Sequence, residues 1–523
     1  MTHWRQWAVA LPLLAALNLS LTFTNVWPTP KVRLGLALSV ELAIAVLALV
    51  LAGRWADRLA RGVLPATWVL LVVGRYLDVT APGLYGREFN IYWDAPHLGN
   101  VTAMLVQAVP AWQVATAVAA VVVASFAAWA AARWTWRRVA TALAEPVVRR
   151  PLAGLAGLIV AAYLVAPESG SSAFSQPVSA AYARQAGYAL ALVAPAQAAP
   201  GLADSPALDR PLTALGGADV VIAFVEAYGA VTFERTDLAA ALADARHELG
   251  RAADAAGREV VSAYVESPTF GASSWLAHLT LLTGLDVRDQ FAYVAVMRAG
   301  RDSLPRAFAR RGYRTVAVMP GMRQAWPEGA FYGFDRIYDF AALDYRGPRF
   351  GWWTIPDQFS LARLAASELA ADERAPVLAV FPTGTTHAPF GPVPPYQPDW
   401  TRVLSEAPFA PEEVRRALAT PPELTDLSPS YARAVDYALR AFAGFVREQA
   451  DAGQVLVLVG DHQPVAAVAG PGAPYHVPVH VIASPGPILD RLRSAGFADG
   501  VAPSPVPLGG MHALTTVLLD AFE

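Results

Sequence analysis

Two short stretches carry the residue types from which a metal site can be made. VLVLVGDHQP delivers Asp461 and His462 through a glycine turn, and YHVPVHVI, fourteen residues on from His462, brings His476 and His480. Two further apolar runs end in a titratable group: VVIAFVEAYG in Glu226 and VLAVFPTGTTHAPF in His387. Carboxylate and imidazole donors together suit Zn²⁺ or Mn²⁺. A hydroxyl beside such an ion loses its proton more easily and becomes a nucleophile. The stretch SPTFGASSWLAHLTLLTGL supplies one, because Ser273 and Ser274 stand at the start of a helix read from Trp275 to Leu285. Backbone N–H groups and the helix dipole favour negative charge there. Each residue alone has a plainer role. A strand-end Glu caps or solvates, paired serines cap a helix, and His480 is spaced to point into the packed side of its strand. It is their joint arrival at successive strand ends that favours a metal site.

The elements that must position these groups are apolar strands alternating with helices. The strands are read at Val220–Val225, Val260–Val265, Thr315–Met319, Val377–Phe381, Val455–Val459 and Val477–Ile482. The helices are read at Leu238–Ala256, Trp275–Leu285, Ser303–Arg311, Asp357–Glu373, Tyr431–Gln449 and Met511–Phe522. This alternation predicts an α/β domain over 218–523 with a mainly parallel central sheet, whose site lies beyond the C-terminal strand ends.

The first 167 residues read differently. The chain is 55% hydrophobic and only 16% charged, and the apolar excess sits there. Five segments suggest about five transmembrane helices: Trp7–Trp27, Arg33–Ala52, Val63–Tyr76, Trp112–Ala132 and Leu152–Ala166. Arginines at 5, 54, 58, 61, 133, 137, 138, 149 and 150 fall on one side, which places the N-terminus in the cytoplasm and everything after Pro167 outside. The first segment is read as a retained anchor. A linker follows at 168–217, with an interfacial helix expected at Pro177–Ala194. Glu41 lies inside the second segment, where a carboxylate is costly. The outer loop Arg75–Asn100 gathers Asp78, Arg87, Asp94 and His97. A net charge of −3 gives no ground for a nucleic-acid partner. The absence of cysteine excludes disulfides, thiolate metal sites and thiol nucleophiles.

The order strand–Glu, serine at a helix start, His-x-Pro, Gly-Asp-His-Gln-Pro and His-Val-Pro resembles the alkaline phosphatase/sulfatase superfamily. With a five-helix anchor, the layout is similar to lipoteichoic acid synthases and lipid A phosphoethanolamine transferases. The resemblance implies that Glu226, Asp461 and His462 hold the metal, and that His387 and His476 hold the substrate phosphate or a second metal. Counting back from Leu-Thr-Gly, as in sulfatases, makes Ser274 the nucleophile and fourth ligand. Alignment on the glycine loop of the synthases gives Ser273 instead. His278 falls at the sulfatase arginine position and could assist, and Trp326, Trp352 and Trp353 could wall a headgroup. No cysteine is available for conversion to an aldehyde nucleophile, so phosphate is expected rather than sulfate.

The resemblance therefore implies a metal-dependent phosphotransferase or phosphodiesterase of the cytoplasmic membrane, with its catalytic domain on the outer side. It would pass a phospho-headgroup from a membrane lipid donor to an envelope glycan or lipid acceptor through a phosphoserine. The alternatives are a sulfatase-like hydrolase of sulfate or phosphate esters, and a degenerate membrane-bound binding module.

Overall fold

The computed structural model describes residues 4–25, 31–85, 88–95, 98–99, 102–103, 110–165, 173–193, 203–324, 326–351, 353–371, 373–423, 426–449, 453–470 and 472–523. Cα packing divides the chain into two units, Met1–Pro195 and Ala196–Glu523.

The N-terminal unit is helical: α1 (Trp4–Thr22), α2 (Val40–Ala52), α3 (Val63–Tyr85), α4 (Ala111–Leu143), α5 (Pro146–Val165) and α6 (Val178–Val193). Among the described residues, three helices are long and apolar enough to cross a membrane, at Val63–Pro82, Ala111–Leu143 and Pro146–Val165. On α4, Val121, Val122, Val123 and Phe126 are all exposed. Such a surface suits lipid, where apolar exposure carries no penalty. The interior is packed by Trp136, fully buried, whose ring meets that of Trp68 edge-on at 5.0 Å. The Trp68 indole donates to Ser20 Oγ at 3.0 Å.

The helices differ in extent from the expected segments: α1 ends at Thr22, α4 continues past Ala132 to Leu143 and α5 opens at Pro146 rather than Leu152, and the second and third segments differ too. The second does not become helical at Arg33. Residues 31–39 run extended, with bridges Thr24–Arg33 and Leu38–Phe174, and α2 begins at Val40 because Ser39 Oγ caps it by accepting from Leu42 N. It is therefore 13 residues long. The third is longer than read: α3 continues through Pro82 to Tyr85, so Arg75 and Asp78 are helical rather than in a loop. Arg87 and His97 lie outside the described residues. Glu41 does have partners. Its carboxylate accepts from Ser39 Oγ at 2.9 Å, and from Ser179 N and Oγ at 3.1 and 3.2 Å. Glu41 thus lies in the first turn of α2 and at the start of α6, where two helix dipoles favour its charge.

In the C-terminal unit an eight-stranded sheet runs β4-β3-β5-β1-β6-β7-β2-β8. Its strands are β1 (Asp219–Val225), β2 (Glu259–Glu266), β3 (Arg314–Val318), β4 (Arg336–Tyr338), β5 (Val377–Pro382), β6 (Gln454–Gly460), β7 (His476–Ala483) and β8 (Ala498–Asp499). Pairing is parallel from β4 through β3, β5 and β1 to β6. It is antiparallel at β6–β7, β7–β2 and β2–β8. The sheet is mainly parallel, as read from the sequence, with β7 and the short β8 running against the other six strands. The edge strands β4 and β8 were not foreseen; with three and two residues they carry no readable period.

Side chains alternate between faces. Val220, Ile222 and Phe224 join Val457 and Val479 in a core shared with α8 (Ser274–Thr283), α11 (Pro487–Ser494) and α12 (Met511–Phe522). On the other face α7 (Ala243–Ala255) packs along α10 (Ser428–Glu448), and Phe381 of β5 meets Phe442 of α10 with ring centroids 6.4 Å apart. The sheet is thus covered on both sides, and its polar groups are left to gather at the strand ends.

Candidate metal and nucleophile site

β1 and β6 are parallel neighbours, with Val225 opposite Gly460. The residues that follow each strand, Glu226 and Asp461, therefore emerge side by side. Gly460 permits this closeness, since a Cβ there would collide with the Tyr228 carbonyl oxygen. Ala227 is held at a φ of 56°, an uncommon left-handed conformation for a residue with a Cβ. Its N–H donates to Asp461 Oδ1 at 2.8 Å, and the Tyr431 hydroxyl donates to its carbonyl at 2.7 Å. Glu226 N–H donates to Thr383 Oγ1 at 2.9 Å. Both carboxylates are thus fixed through backbone contacts.

Ser274 is the first residue of α8, preceded by Ser273 at a φ of 69°. The Ser274 hydroxyl lies 2.8 Å from Glu226 Oε2 and 3.2 Å from His462 Nε2. His462 Nδ1 is 2.7 Å from the Gln463 carbonyl, which can only accept, so Nδ1 carries a proton and Nε2 faces the carboxylates. His462 Nε2 is 3.3 Å from Glu226 Oε1 and 3.8 Å from Asp461 Oδ2. His387 is set by the same device. Its Nδ1 donates to the Ala388 carbonyl at 2.8 Å, and its Nε2 stands 4.0 Å from Glu226 Oε1. A ring nitrogen fixed in this way is how ligating histidines are usually oriented.

The electrostatics follow from two buried carboxylates and two imidazoles packed together. Burial pushes Asp461 well above the ordinary carboxylate range, and the adjacent Glu226 charge adds to it. Burial also works to raise Glu226, but His387 and His462 more than offset it and hold that group below its usual value. For His462 burial acts downward, yet Asp461 and Glu226 prevail and push it up to about 9. Two carboxylates this close favour a positive charge between them. Asp461 Oδ2 is buried without a hydrogen-bond partner. The ligand atoms of Glu226, Asp461 and His462, all three buried, lie within 4.8 Å of one another. This donor set fits a divalent ion.

The remaining sequence candidates are placed as follows. His278, one turn after Ser274, has Nε2 3.9 Å from Asp461 Oδ2 and its ring 4.3 Å from that of Phe224. Burial pushes it down to about 4. His476 opens β7 opposite Glu266, at the edge where β2 ends, because β7 runs backwards. Its ring lies 6.3 Å from that of Tyr264, and among the described residues no contact joins it to Glu226, Ser274, Asp461 or His462. Trp326 packs on the core beside Tyr332, ring to ring at 5.6 Å. Trp353 lies against His387 at 4.2 Å, and Trp352 is outside the described residues. His480 is buried between Ser262 Oγ at 2.7 Å and the Tyr228 hydroxyl at 3.1 Å, on the packed side of its strand.

Two supports were not read from the sequence. Thr383 anchors Glu226, and its hydroxyl is shared with Thr386 at 2.8 Å. Asp357, which opens α9 (Asp357–Leu364), is fully buried and accepts from Gly384 N at 2.7 Å and Thr385 N at 3.2 Å. The one signal for either was the run of glycine and threonine before His387.

No protein-family model matches the chain, and no curated protein does. Solved structures to which it is similar include the phosphoethanolamine transferase EptA from Neisseria meningitidis, with 14% identity, 92% of this chain and 87% of that one covered, and a TM-score of 0.46. The lipoteichoic acid synthase LtaP from Listeria monocytogenes has 16% identity, with 61% and 76% covered and a TM-score of 0.37. A protein of the alkaline phosphatase superfamily from Vibrio parahaemolyticus has 18% identity and a TM-score of 0.36; the match covers 54% of this chain, which spans 63% of that protein's length.

Proposed function

We propose that the chain is a metal-dependent phosphotransferase or phosphodiesterase that moves a phospho-headgroup from a membrane lipid to an envelope acceptor through a phosphoserine at Ser274. The observation that carries this reading is the Ser274 hydroxyl at the start of α8, 2.8 Å from Glu226 Oε2 and 3.2 Å from His462 Nε2. Glu226, Ser274, Asp461 and His462 would hold a divalent cation, Zn²⁺ or Mn²⁺, which would supply Lewis acidity and ease loss of the hydroxyl proton.

The chain's own residues account for the remainder. Glu226 Oε2 accepts the hydrogen bond of the Ser274 hydroxyl and so aims Oγ, and the proton passes to water. Oγ then attacks phosphorus, forming a P–Oγ bond as the bond to the lipid glycerol oxygen breaks. The departing alkoxide takes a proton from His387 Nε2, with His476 assisting at the same sheet edge. The N–H groups at the start of α8 face the developing negative charge. An acceptor hydroxyl next gives its proton to His387 Nε2, left neutral by the first step, and attacks phosphorus; the P–Oγ bond breaks and Oγ takes a proton back from water. Trp353, packed on His387, gives the headgroup an apolar wall. An odd number of crossings, the three long apolar helices or the five segments of the sequence, and a cytoplasmic N-terminus would place this chemistry on the outer side of the cytoplasmic membrane.

Peptide mass spectrometry after incubation with labelled phosphatidylglycerol and phosphatidylethanolamine tests the reading. An adduct is expected on Ser274, absent from Ser274→Ala, and its mass gives the group transferred. Turnover without any adduct on Ser274 sinks the covalent mechanism. Release of free headgroup alone, in the presence of candidate acceptors, would identify a hydrolase.

A further inference from the structure

The site leaves one polar side chain unused. His278 follows Ser274 by four residues on α8, so both side chains lie on the same helix face. Its Nε2 is buried and has no hydrogen-bond partner, and Asp461 Oδ2 shares that condition. The two atoms stand 3.9 Å apart. Asp461 Oδ1 is already committed, accepting from Ala227 N at 2.8 Å and His462 N at 2.7 Å. Only Oδ2 remains to serve a cation, and a carboxylate oxygen has a second lone pair to spare.

We propose that His278 is a positioning residue, donating Nε2–H to Asp461 Oδ2 and so fixing which lone pair that oxygen turns towards the metal. The inference rests on the metal reading of Glu226, Asp461 and His462. His278 stands outside that set, whose ligand atoms lie within 4.8 Å of one another, so its place is behind Asp461 rather than on the ion. Closing the gap to hydrogen-bond length takes a movement of about 1 Å, within reach of a side-chain rotation. The Phe224 ring, 4.3 Å away, limits the imidazole to a narrow range of orientations. A residue wanted only to fill space beside Phe224 would have no need of a ring nitrogen. Outer partners of this kind typically alter metal affinity by about 10–100-fold when removed.

The test is direct titration of the full-length, detergent-solubilised protein with Zn²⁺ and with Mn²⁺. The variants are His278→Gln, whose amide nitrogen falls near the Nε2 position, His278→Asn, whose amide falls short of it, and Asp461→Asn. The expected result is that His278→Gln binds like the wild type, His278→Asn binds about 10–100-fold more weakly, and Asp461→Asn loses the ion. His278→Asn matching the wild type, with Asp461→Asn defective, overturns the role of His278 and leaves the metal site standing. Equal weakening in His278→Gln and His278→Asn makes the residue a space-filler and also overturns it. Unchanged binding in Asp461→Asn removes the site and this inference together.

Discussion

Gly460→Ala should damage the site without touching any of its side chains. Gly460 is the last residue of β6, directly before Asp461 and opposite Val225, the residue before Glu226. A Cβ at 460 falls well inside 3.0 Å of the Tyr228 carbonyl oxygen, a separation that real Cβ atoms essentially never show. The obstacle is backbone, so no rotamer relieves it. Either the turn after β1 or the end of β6 must give way by about 1 Å, at the cost of about 1–3 kcal/mol typical of overpacking. Neither can move freely. Ala227 is tied to Asp461 Oδ1 and to the Tyr431 hydroxyl, and Val477 Cβ stands 3.1 Å from the new methyl on the other side. The strain therefore passes into the separation of Glu226 and Asp461. A misplacement of about 1 Å among reacting groups costs on the order of 10²-fold in turnover. The control is Gly453→Ala, just before the opposite end of β6, where a Cβ meets nothing within 4 Å. That change should stay within about 0.5 kcal/mol of the wild type. Metal titration and phosphodiester turnover read the effect, with thermal unfolding to locate any loss of stability. If Gly460→Ala keeps wild-type metal affinity and turnover, the argument that the β1–β6 contact sets the carboxylate spacing is refuted.

Further outcomes follow from the same geometry. Metal affinity should rise with pH across the neutral range. The ion-free cluster keeps a proton on His462 up to about pH 9, and binding must expel it, so affinity should climb about tenfold per pH unit for each proton released. Competition titrations at pH 6, 7 and 8 that gave one value would contradict this. Asp357 is pushed up to about 6 by burial, which outweighs its hydrogen bonds to Gly384 and Thr385. Between its ordinary value of 3.8 and about 6 the folded state holds a proton that the unfolded state has lost. Stability must then fall as pH rises through that window, by up to about 3 kcal/mol. Asp357→Asn, which imitates the protonated acid, should match the wild type in unfolding free energy at pH 4 and exceed it at pH 7.5; a difference independent of pH would refute the assignment. Trp353→Ala should lower turnover by about 2–10-fold, the worth of an aromatic pair, by freeing His387, while metal binding stays unchanged. A matching loss of metal would mean that Trp353 supports the ligands themselves.

What could be read from the sequence, and what could not, divides along a physical line. Glu226, Asp461 and His462 were legible because buried parallel strands are apolar throughout, so the first titratable residue after each run marks where the strand leaves the core. The extent of the six longer strands followed from the same contrast. Strand direction did not, because nothing local to His476–Ala483 distinguishes a parallel from an antiparallel neighbour. Its direction is set by pairing with β6 and β2. That reversal has a chemical consequence. A parallel β7 would carry His476 to the far end of the sheet, whereas the antiparallel one opens at the edge where β1, β6 and β2 finish. Thr383 and Asp357 were illegible for a related reason. They act on backbone N–H groups more than a hundred residues away in one case and 27 in the other, and a hydroxyl or carboxylate that serves a distant loop leaves no period in its own segment. In the membrane unit the same limit applies to Glu41. Hydropathy marks it as out of place in an apolar run, and the local Ser39 hydroxyl meets one of its oxygens, but the partner of the other, Ser179, lies 138 residues on and leaves no trace near Glu41 in the sequence.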